Sequence, residues 1–431
     1  MDNLKTVSEA AKIIGVSPDT IRRWDKRRMI KSYRSNNNHR LFNLKEIERI
    51  NNKVSGKNSK NFYKILKAKK RSEYTSVELF AGAGGTAIGF HNAGINHVHL
   101  SDIDSNCIKT LKHNTRYWKS CKTENIIKED LKVLNDNKYF KNINADIVEG
   151  GFPCQAFSYA GNKLGFEDAR GTLFYEFARC VKQVSPKIVI GENVRGLHRH
   201  DNGKTLNTML TILEEIGYRV SYKILRAQYL DVPQKRERLI IIGIKNSKKY
   251  KDIPFIFPKE KDYTVTLRDA LKNCPKSVGS EYPKRKKAIL DRVPEGGYWR
   301  SLPVPLQKEY MQKSYYLGGG KTGMARRLSM DEPSLTLTCS PSQKQTERCH
   351  PKETRPLTVR EYARIQTFPD KWEFKGSMSA QYKQIGNAVP VNLGYHIGRC
   401  VIAMLDGNFD NKSMQIGEKW TPSNQLEIFY T

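Results

Sequence analysis

From Thr75 to Lys248 short apolar runs alternate with amphipathic stretches, and this alternation restricts the fold more than any other feature of the chain. Runs at 76–80, 97–101, 146–149, 187–191 and 238–244 have the length of buried strands. Strands alternating with helices build a mainly parallel sheet covered on both faces, because each crossover lays a helix across the sheet. The pattern therefore predicts an α/β domain over 74–248. It weakens beyond residue 248, where 250–354 are rich in Pro, Gly, Ser and Lys, and a smaller irregular domain is expected over 249–375. Residues 376–406 are expected to return to the first domain, with Val389 to Leu405 as a helix closing the sheet. Residues 407–431 read as a tail.

A separate unit precedes this domain. Val7, Ala10, Ala11 and Ile14 recur at helical spacing and Gly15 ends the helix. Ser17-Pro18-Asp19 opens a second, basic helix carrying Arg22 and Arg23, since Ser caps and Pro fits the first helical position. Ser35 to Asn38 suit a tight turn, His39-Arg40-Leu41-Phe42 a short strand, and Leu44 to Ile50 a third helix. This order over 1–50 resembles the winged helix-turn-helix of the MerR family. The resemblance implies a second helix in a DNA major groove through Arg22 and Arg23, with Arg40 of the wing on a phosphate. A protein-interaction module would share the pattern. Residues 51–73 read as a basic linker, partly helical near Phe62 to Leu66.

Charge points the same way. Lys and Arg total 75 against 44 Asp and Glu, a net charge of +31, which calls for a polyanionic partner. The longest aliphatic run, Leu239 to Ile244, is strand length and too short to span a bilayer, and the opening residues carry no apolar leader. The eight cysteines include no C-x-x-C pair, so no metal site or disulfide framework is expected, and the reducing cytoplasm is the expected compartment.

Four constellations carry chemistry. Val77 to Phe80 runs into Ala81-Gly82-Ala83-Gly84-Gly85, and a strand, glycine turn and helix let a ligand approach the backbone at the carboxyl edge of a sheet. The next strand ends at Asp102, placed to accept hydrogen bonds from ribose hydroxyls; Asp130, after Ile126-Ile127, is a candidate for an adenine amino group. A purely structural turn explains the glycines alone, whereas turn plus acid points to an adenosine-type cofactor. Gly150-Gly151-Phe152-Pro153-Cys154-Gln155 follows a third strand and offers a cysteine at a loop entrance, where a thiolate can be exposed. Gly191-Glu192-Asn193-Val194 puts a carboxyl at a strand end, where desolvation can hold its proton for donation. Gln234-Lys235-Arg236-Glu237-Arg238 opens the last strand with a basic cluster.

Taken in order, Phe80-Ala81-Gly82-x-Gly84-Gly85, Pro153-Cys154-Gln155, Glu192-Asn193-Val194 and Gln234-x-Arg236-x-Arg238 resemble the bacterial DNA cytosine-C5 methyltransferases. Gly165 to Phe174, Arg355-Pro356-Leu357-Thr358, Glu361 to Pro369 and Gly386-Asn387-Ala388-Val389-Pro390 extend the resemblance over about residues 75–405. It implies a Rossmann-like S-adenosyl-L-methionine-dependent catalytic domain with an irregular target-recognition domain. In that family frame Phe80, Gly82, Gly84, Gly85, Asp102, Ile103, Asp130, Leu131, Pro153 and Asn387 hold the cofactor. Cys154 adds to C6 of a cytosine, Glu192 hydrogen-bonds N3 and the exocyclic amine, and Arg236 and Arg238 contact the base or a neighbouring phosphate. The stretch from Ser158 to Gly171 is the expected closing loop, and Gln343 and Arg348 are expected to read base edges. No metal is expected. Double-stranded DNA is the implied partner, a cognate restriction endonuclease the implied genetic companion, and a monomer the implied state. Two alternatives share these features: an RNA or tRNA cytosine methyltransferase, and a DNA-binding regulator with an inert methyltransferase domain.

Overall fold

The computed structural model describes residues 4–26, 30–35, 37–55, 63–153 and 172–421, with the backbone alone at residues 23, 26 and 52–55. Cys154, Gln155, Phe62 and the expected closing loop at 158–171 lie outside the described residues, as does the side chain of Arg23.

The N-terminal unit comprises β1 (Leu4–Thr6), α1 (Val7–Ile14), α2 (Pro18–Lys26), β2 (Ser32–Arg34), β3 (Arg40–Asn43) and α3 (Leu44–Ser55). Thr6 and Glu9 form a reciprocal cap on α1, and Gly15 ends it at φ 74°, a left-handed conformation that a Cβ disfavours. Ala10, Ala11, Ile14, Ile21, Phe42 and Ile47 make its core. The strands are antiparallel in the order β1-β3-β2. Residues 63–66, expected to begin as helix, carry no helical turn. Their peptide groups are taken by α14 instead: Leu66 N donates to Asn392 Oδ1 and Asn392 Nδ2 donates to Lys64 O, each at 2.9 Å.

The α/β unit follows as β4 (Thr75–Leu79), α4 (Gly85–Ala93), β5 (Asn96–Asp102), α5 (Ser105–Thr115), β6 (Ile126–Lys128), α6 (Leu131–Asp136), β7 (Ile147–Gly150), α7 (Leu173–Val184), β8 (Ile188–Val194), α8 (Lys204–Glu215), β9 (Tyr218–Arg226), β10 (Gln234–Lys235) and β11 (Glu237–Lys245). Seven of these strands form one sheet in the order β6-β5-β4-β7-β8-β11-β9. The first five run parallel, and β11 lies antiparallel to both neighbours. Val77, Val148, Val189 and Leu239 meet α6, α7 and α8 on one face. Ile147, Ile188, Ile190, Ile240 and Ile242 meet Phe90 of α4 and residues of the C-terminal helix α14 on the other. Burial on both faces explains the continuous apolar runs.

The remainder comprises β12 (Phe255–Pro258), α9 (Leu267–Leu271), α10 (Lys284–Leu290), α11 (Val304–Met311), β13 (Ser334–Leu335), α12 (Val359–Ile365), α13 (Met378–Asn387), α14 (Val391–Asp406) and β14 (Met414–Gly417). Tyr282, Leu290, Trp299, Met311 and Met324 give the irregular region a small core of its own. Its later part is not separate, because Leu328, Leu337, Leu357 and Tyr362 share a cluster with Ala87, Ile88 and Leu100 of the α/β unit. The expected tail is also part of the fold as far as residue 421: β14 pairs with β12, and Trp420 enters the main core.

A buried polar knot ties β9's exit to α14. Asp231 accepts from His396 Nε2 at 2.8 Å, Tyr263 Oη at 2.6 Å and Lys261 Nζ. Burial alone would raise the Asp231 carboxyl, but these three donors outweigh it and hold the group far below its usual range. A depressed folded pKa adds stability that is complete above the unfolded value and lost as pH falls below about 3.9. Asp231→Asn is expected to cost on the order of 2 kcal/mol at neutral pH. Its urea midpoint should converge on that of the parent in acid; a constant gap down the titration would contradict this account.

Candidate active site

The carboxyl ends of β4, β5, β7 and β8 open into a cavity of about 930 Å³. That is the size class of cofactor and small-ligand pockets. The polar and apolar groups around it come from three separated parts of the chain: the sheet with its following loops, the irregular segment 336–343, and the end of α13 with the residues after it, 383–389.

One half of the cavity is built by the glycine turn. Phe80 sits at φ 56°, a left-handed conformation costly for a side-chain-bearing residue, and its ring borders both the cavity and the main core. A Cβ on Gly82 would meet nothing within 4 Å, although its φ of 53° favours glycine. Of the next two glycines, Gly85 lines the cavity. A Cβ on Gly84 would lie 2.8 Å from Leu111 Cδ2, and on Gly85 2.1 Å from Val389 O. Gly84 does not line the cavity, and both glycines admit close packing by the rest of the protein.

Asp102 closes this half. Its Oδ2 accepts from Gly82 N at 2.8 Å and its Oδ1 from Asp104 N at 2.7 Å, so it braces the turn. Burial raises its pKa and these two amides lower it, with a net upward shift. Each carboxylate oxygen keeps a second lone pair for a hydroxyl donor. Ile103 beside it is 66% exposed and lines the cavity, so its apolar side chain is free to meet a ligand ring there. Asp130 caps α6 by accepting from Lys132 N at 2.8 Å, and buried Leu131 follows it on the same wall. Two acids at successive strand ends flanked by Ile103, Leu131 and Phe80 fit a nucleoside: hydroxyl and amino donors meet the acids, and a base ring fits between the apolar groups.

The other half holds Glu192 at the end of β8. Arg238 Nε on β11 lies 2.6 Å from Glu192 Oε1, with the two side chains 11% and 15% exposed. A Cβ on Gly151 would stand 2.9 Å from Glu192 Oε2, so glycine there makes room for the carboxylate. Asn193 Nδ2 donates to Phe152 O at 2.9 Å, and Asn193 Oδ1 accepts from Val194 N at 2.8 Å. These bonds fix the chain entering Pro153, which is exposed on the cavity wall directly before Cys154.

Three expected nucleic-acid contacts are engaged within the protein. Arg236 is 1% exposed, and its guanidinium donates to Gly386 O at 3.1 Å, Leu337 O at 3.4 Å and Asn387 O at 3.5 Å. Burial lowers its pKa, and the nearby Arg238 lowers it further. It clamps segment 336–343 to the C-terminal end of α13 and also lines the cavity. Arg348 is likewise buried, donating to Thr336 O at 3.0 Å and Glu347 O at 2.7 Å, so it shapes its loop from within. Arg40 Nε donates to Asp25 Oδ2 at 2.6 Å, which joins the wing to α2. Gln343 and Asn387 are exposed at the cavity; Asn387 Oδ1 accepts from Cys339 Sγ at 3.0 Å. Arg22 is exposed beside Asp19 on α2.

Sequence reasoning missed the contribution of Thr336 to Cys339, which β13 brings in by pairing with β10. It also missed Glu78 and Glu149, two buried acids on the cavity floor. The signal for Glu149 was an acid inside an otherwise apolar strand. Among the described residues no group of His, Cys, Asp and Glu side chains is arranged to hold a metal ion.

Residues 74–403 match the family model for C-5 cytosine-specific DNA methylase, and residues 6–42 match that for MerR family regulatory protein. The chain is 51% identical over 417 residues to the Type II methyltransferase M.Eco47II of Escherichia coli, covering 93% of this chain and 96% of that one. It is 53% identical over 343 residues to M.PspPI of Psychrobacter sp. (strain TA137), covering 77% and 80%. It is 49% identical over 347 residues to M.Sau96I of Staphylococcus aureus, covering 80% and 79%. Among solved structures, a prophage-encoded candidate DNA modification methyltransferase of Escherichia coli superposes with a TM-score of 0.55 at 24% identity, over 78% of this chain and 100% of that one. This last likeness shows a common fold.

Proposed function

Since the chain belongs to the C-5 cytosine-specific DNA methylase family and is a DNA cytosine-C5 methyltransferase of the restriction-modification type, we propose that it takes its methyl group from S-adenosyl-L-methionine and works through a covalent bond between Cys154 and cytosine C6. The observation that carries this reading is the Arg238–Glu192 pair standing at the cavity wall beside the fixed entrance to the cysteine. Asp102 receives the ribose hydroxyls, Asp130 the adenine amine, and Phe80, Ile103 and Leu131 flank the ring. When bound, the cofactor supplies an electrophilic methyl group on a sulfonium centre.

The residues of this chain overcome the weak nucleophilicity of cytosine C5. A cytosine in the duplex is out of reach, so the nucleotide swings into the cavity at a cost of a few kcal/mol. Cys154 adds as a thiolate to C6, and Glu192 gives a proton to N3, so the ring electrons collect at C5 as an enamine. Arg238 holds Glu192 in place through one carboxylate oxygen, leaving the other for the base. After C5 has taken the methyl group, solvent water takes the C5 proton, Cys154 leaves as a thiolate to restore aromaticity, and N3 returns its proton to Glu192. Gln343, exposed at the cavity, contacts the DNA. The cytoplasm, where host DNA lies, is the place of action, and a cognate endonuclease is the genetic companion.

Incubation with labelled S-adenosylmethionine and unmethylated bacterial DNA, followed by bisulfite mapping, tests the reading. Methylation of one short motif is expected; label confined to tRNA, or no label in either nucleic acid, would overturn it. Asp102→Asn is expected to raise the cofactor KM about 10–100-fold, the worth of a hydrogen bond to a charged group, with kcat changed far less. An unchanged KM would remove Asp102 from the cofactor site. For the N-terminal unit we propose binding of DNA upstream of the protein's own gene, supported by exposed Arg22 on a MerR-like α2. Footprinting of the full chain on that DNA should show a protected site beyond the methylation motif.

A further inference from the structure

The sheet buries two carboxyl groups that the steps above do not use. Glu78 on β4 and Glu149 on β7 are 1% and 2% exposed and stand in register across neighbouring parallel strands. Strand alternation puts Glu149 on the face that carries Ile147, and the pairing of β7 with β8 sets Ile190, and therefore Glu192, on that same face. All three acids line the cavity. Ala87 N donates to Glu78 Oε1 at 3.1 Å, while buried Glu78 Oε2 has no hydrogen-bond partner among the described residues. The carboxyl in register with it across the strand pair is that of Glu149.

Two carboxyl groups can share a hydrogen bond only while one of them keeps a proton. The neighbours leave no other way to satisfy the pair. His97 Nδ1 is 3.8 Å from Glu78 Oε2, but its Nε2 is bonded to Ala87 O at 2.8 Å and its Nδ1 to Ser76 Oγ at 2.9 Å. The bond to a carbonyl requires Nε2 to carry the proton, which leaves Nδ1 an acceptor; burial also holds this imidazole neutral. Asp102 and Glu192 add negative charge nearby, and Cys121 is a buried thiol whose pKa is pushed up by burial. Burial raises both Glu78 and Glu149, and for Glu149 the charges of Glu78 and Glu192 raise it further.

We propose that Glu149 is a positioning residue for proton donation by Glu192: it shares one proton with Glu78, and that proton keeps the cavity floor singly charged while Glu192 becomes negative. The proposal rests on the role given to Glu192 above. In the addition step the O–H bond of Glu192 breaks and N3–H forms, so negative charge moves onto Glu192; on elimination the same proton returns. The proton between Glu78 and Glu149 stays in place throughout. If it is lost, a second negative charge faces Glu192 across a low-dielectric cavity, and the donation step becomes harder.

The test is kcat of the full chain on unmethylated DNA across neutral to alkaline pH, with saturating cofactor. The wild type is expected to lose about tenfold per pH unit once the pair sheds its proton. Glu149→Gln keeps a hydrogen-bond donor for Glu78 but has no proton to lose. Whatever its level at neutral pH, its kcat should lack the wild-type alkaline fall. A Glu149→Gln profile with the wild-type alkaline fall would overturn the proposal. Infrared spectroscopy of the folded wild type gives a second readout independent of activity. In the difference spectrum of wild type minus Glu149→Gln, which cancels the proton carried by Glu192, the carbonyl stretch of a protonated carboxyl should be present at neutral pH; its absence would equally overturn the proposal. Glu192→Gln with wild-type kcat would instead refute the role of Glu192, and the proposal with it, while the infrared band persists.

Discussion

Cys154→Ala is expected to reduce methyl transfer to DNA by at least roughly ten-thousand-fold, the scale of losing a catalytic nucleophile. Chemistry sets this loss before structure does. Cytosine C5 has no route to an electrophilic methyl group until a nucleophile has added to C6, so no weaker parallel path is left. The geometry then limits the damage to chemistry. The chain enters Cys154 through Phe152, whose carbonyl accepts from Asn193, and through Pro153 on the cavity wall. Neither contact involves the thiol, so the variant should fold, bind cofactor and shift DNA in a gel like the wild type. Single-turnover transfer from labelled cofactor is the measurement. Residual transfer above about one per cent would sink the covalent mechanism.

Arg236→Ala carries the largest expected loss of stability, about 3–5 kcal/mol, read as a fall in Tm on the order of 10 °C. Deleting the guanidinium leaves the carbonyls of Gly386, Leu337 and Asn387 without their donor and opens a void where a fully buried side chain stood. Arg236→Lys should recover only part of the loss, because an ammonium cannot reproduce the planar fork. The cavity wall formed by Thr336 to Cys339 should loosen with it, raising KM for both DNA and cofactor. A variant with wild-type Tm and a defect confined to DNA binding would instead show Arg236 to act on the nucleic acid.

Arg236 also shows where a sequence stops being informative. Its position in Gln234-Lys235-Arg236-Glu237-Arg238 announces a site, but two arginines in one motif look alike until the fold separates them. Arg238 lies on β11 beside Glu192, whereas Arg236 is the single residue between β10 and β11 and turns toward segments 101 and 150 residues away. Such long-range contacts leave no periodic trace. The five expected strands were legible because burial on both faces makes them continuously apolar. β6 was hidden by its three-residue length, and β9 by the polar residues interleaved along it. Asp102 and Glu192 could be found because each ends a strand beside a glycine turn. Arg348 could not be recognised as internal, since a polar loop and a loop folded around its own arginine have the same composition.

The return of the chain after the recognition region has a consequence for biosynthesis. Helix α14 covers α4 and one face of the sheet, β14 completes an edge with β12, and Trp420 plugs the opposite core. Tyr74 Oη donates to Asp406 Oδ1 across 332 residues, and Leu66 N to Asn392 across 326. A nascent chain that has already made the glycine turn, the cysteine and both acids therefore still presents a bare wall of isoleucines to the cell. Its final packing waits for almost the last segment described here to leave the ribosome, and contacts of such separation form slowly. Chains that terminate early would be substrates for chaperones and proteases before they were catalysts. The number of working copies in a young cell is thereby set by completed synthesis and folding, with no contribution from partial products.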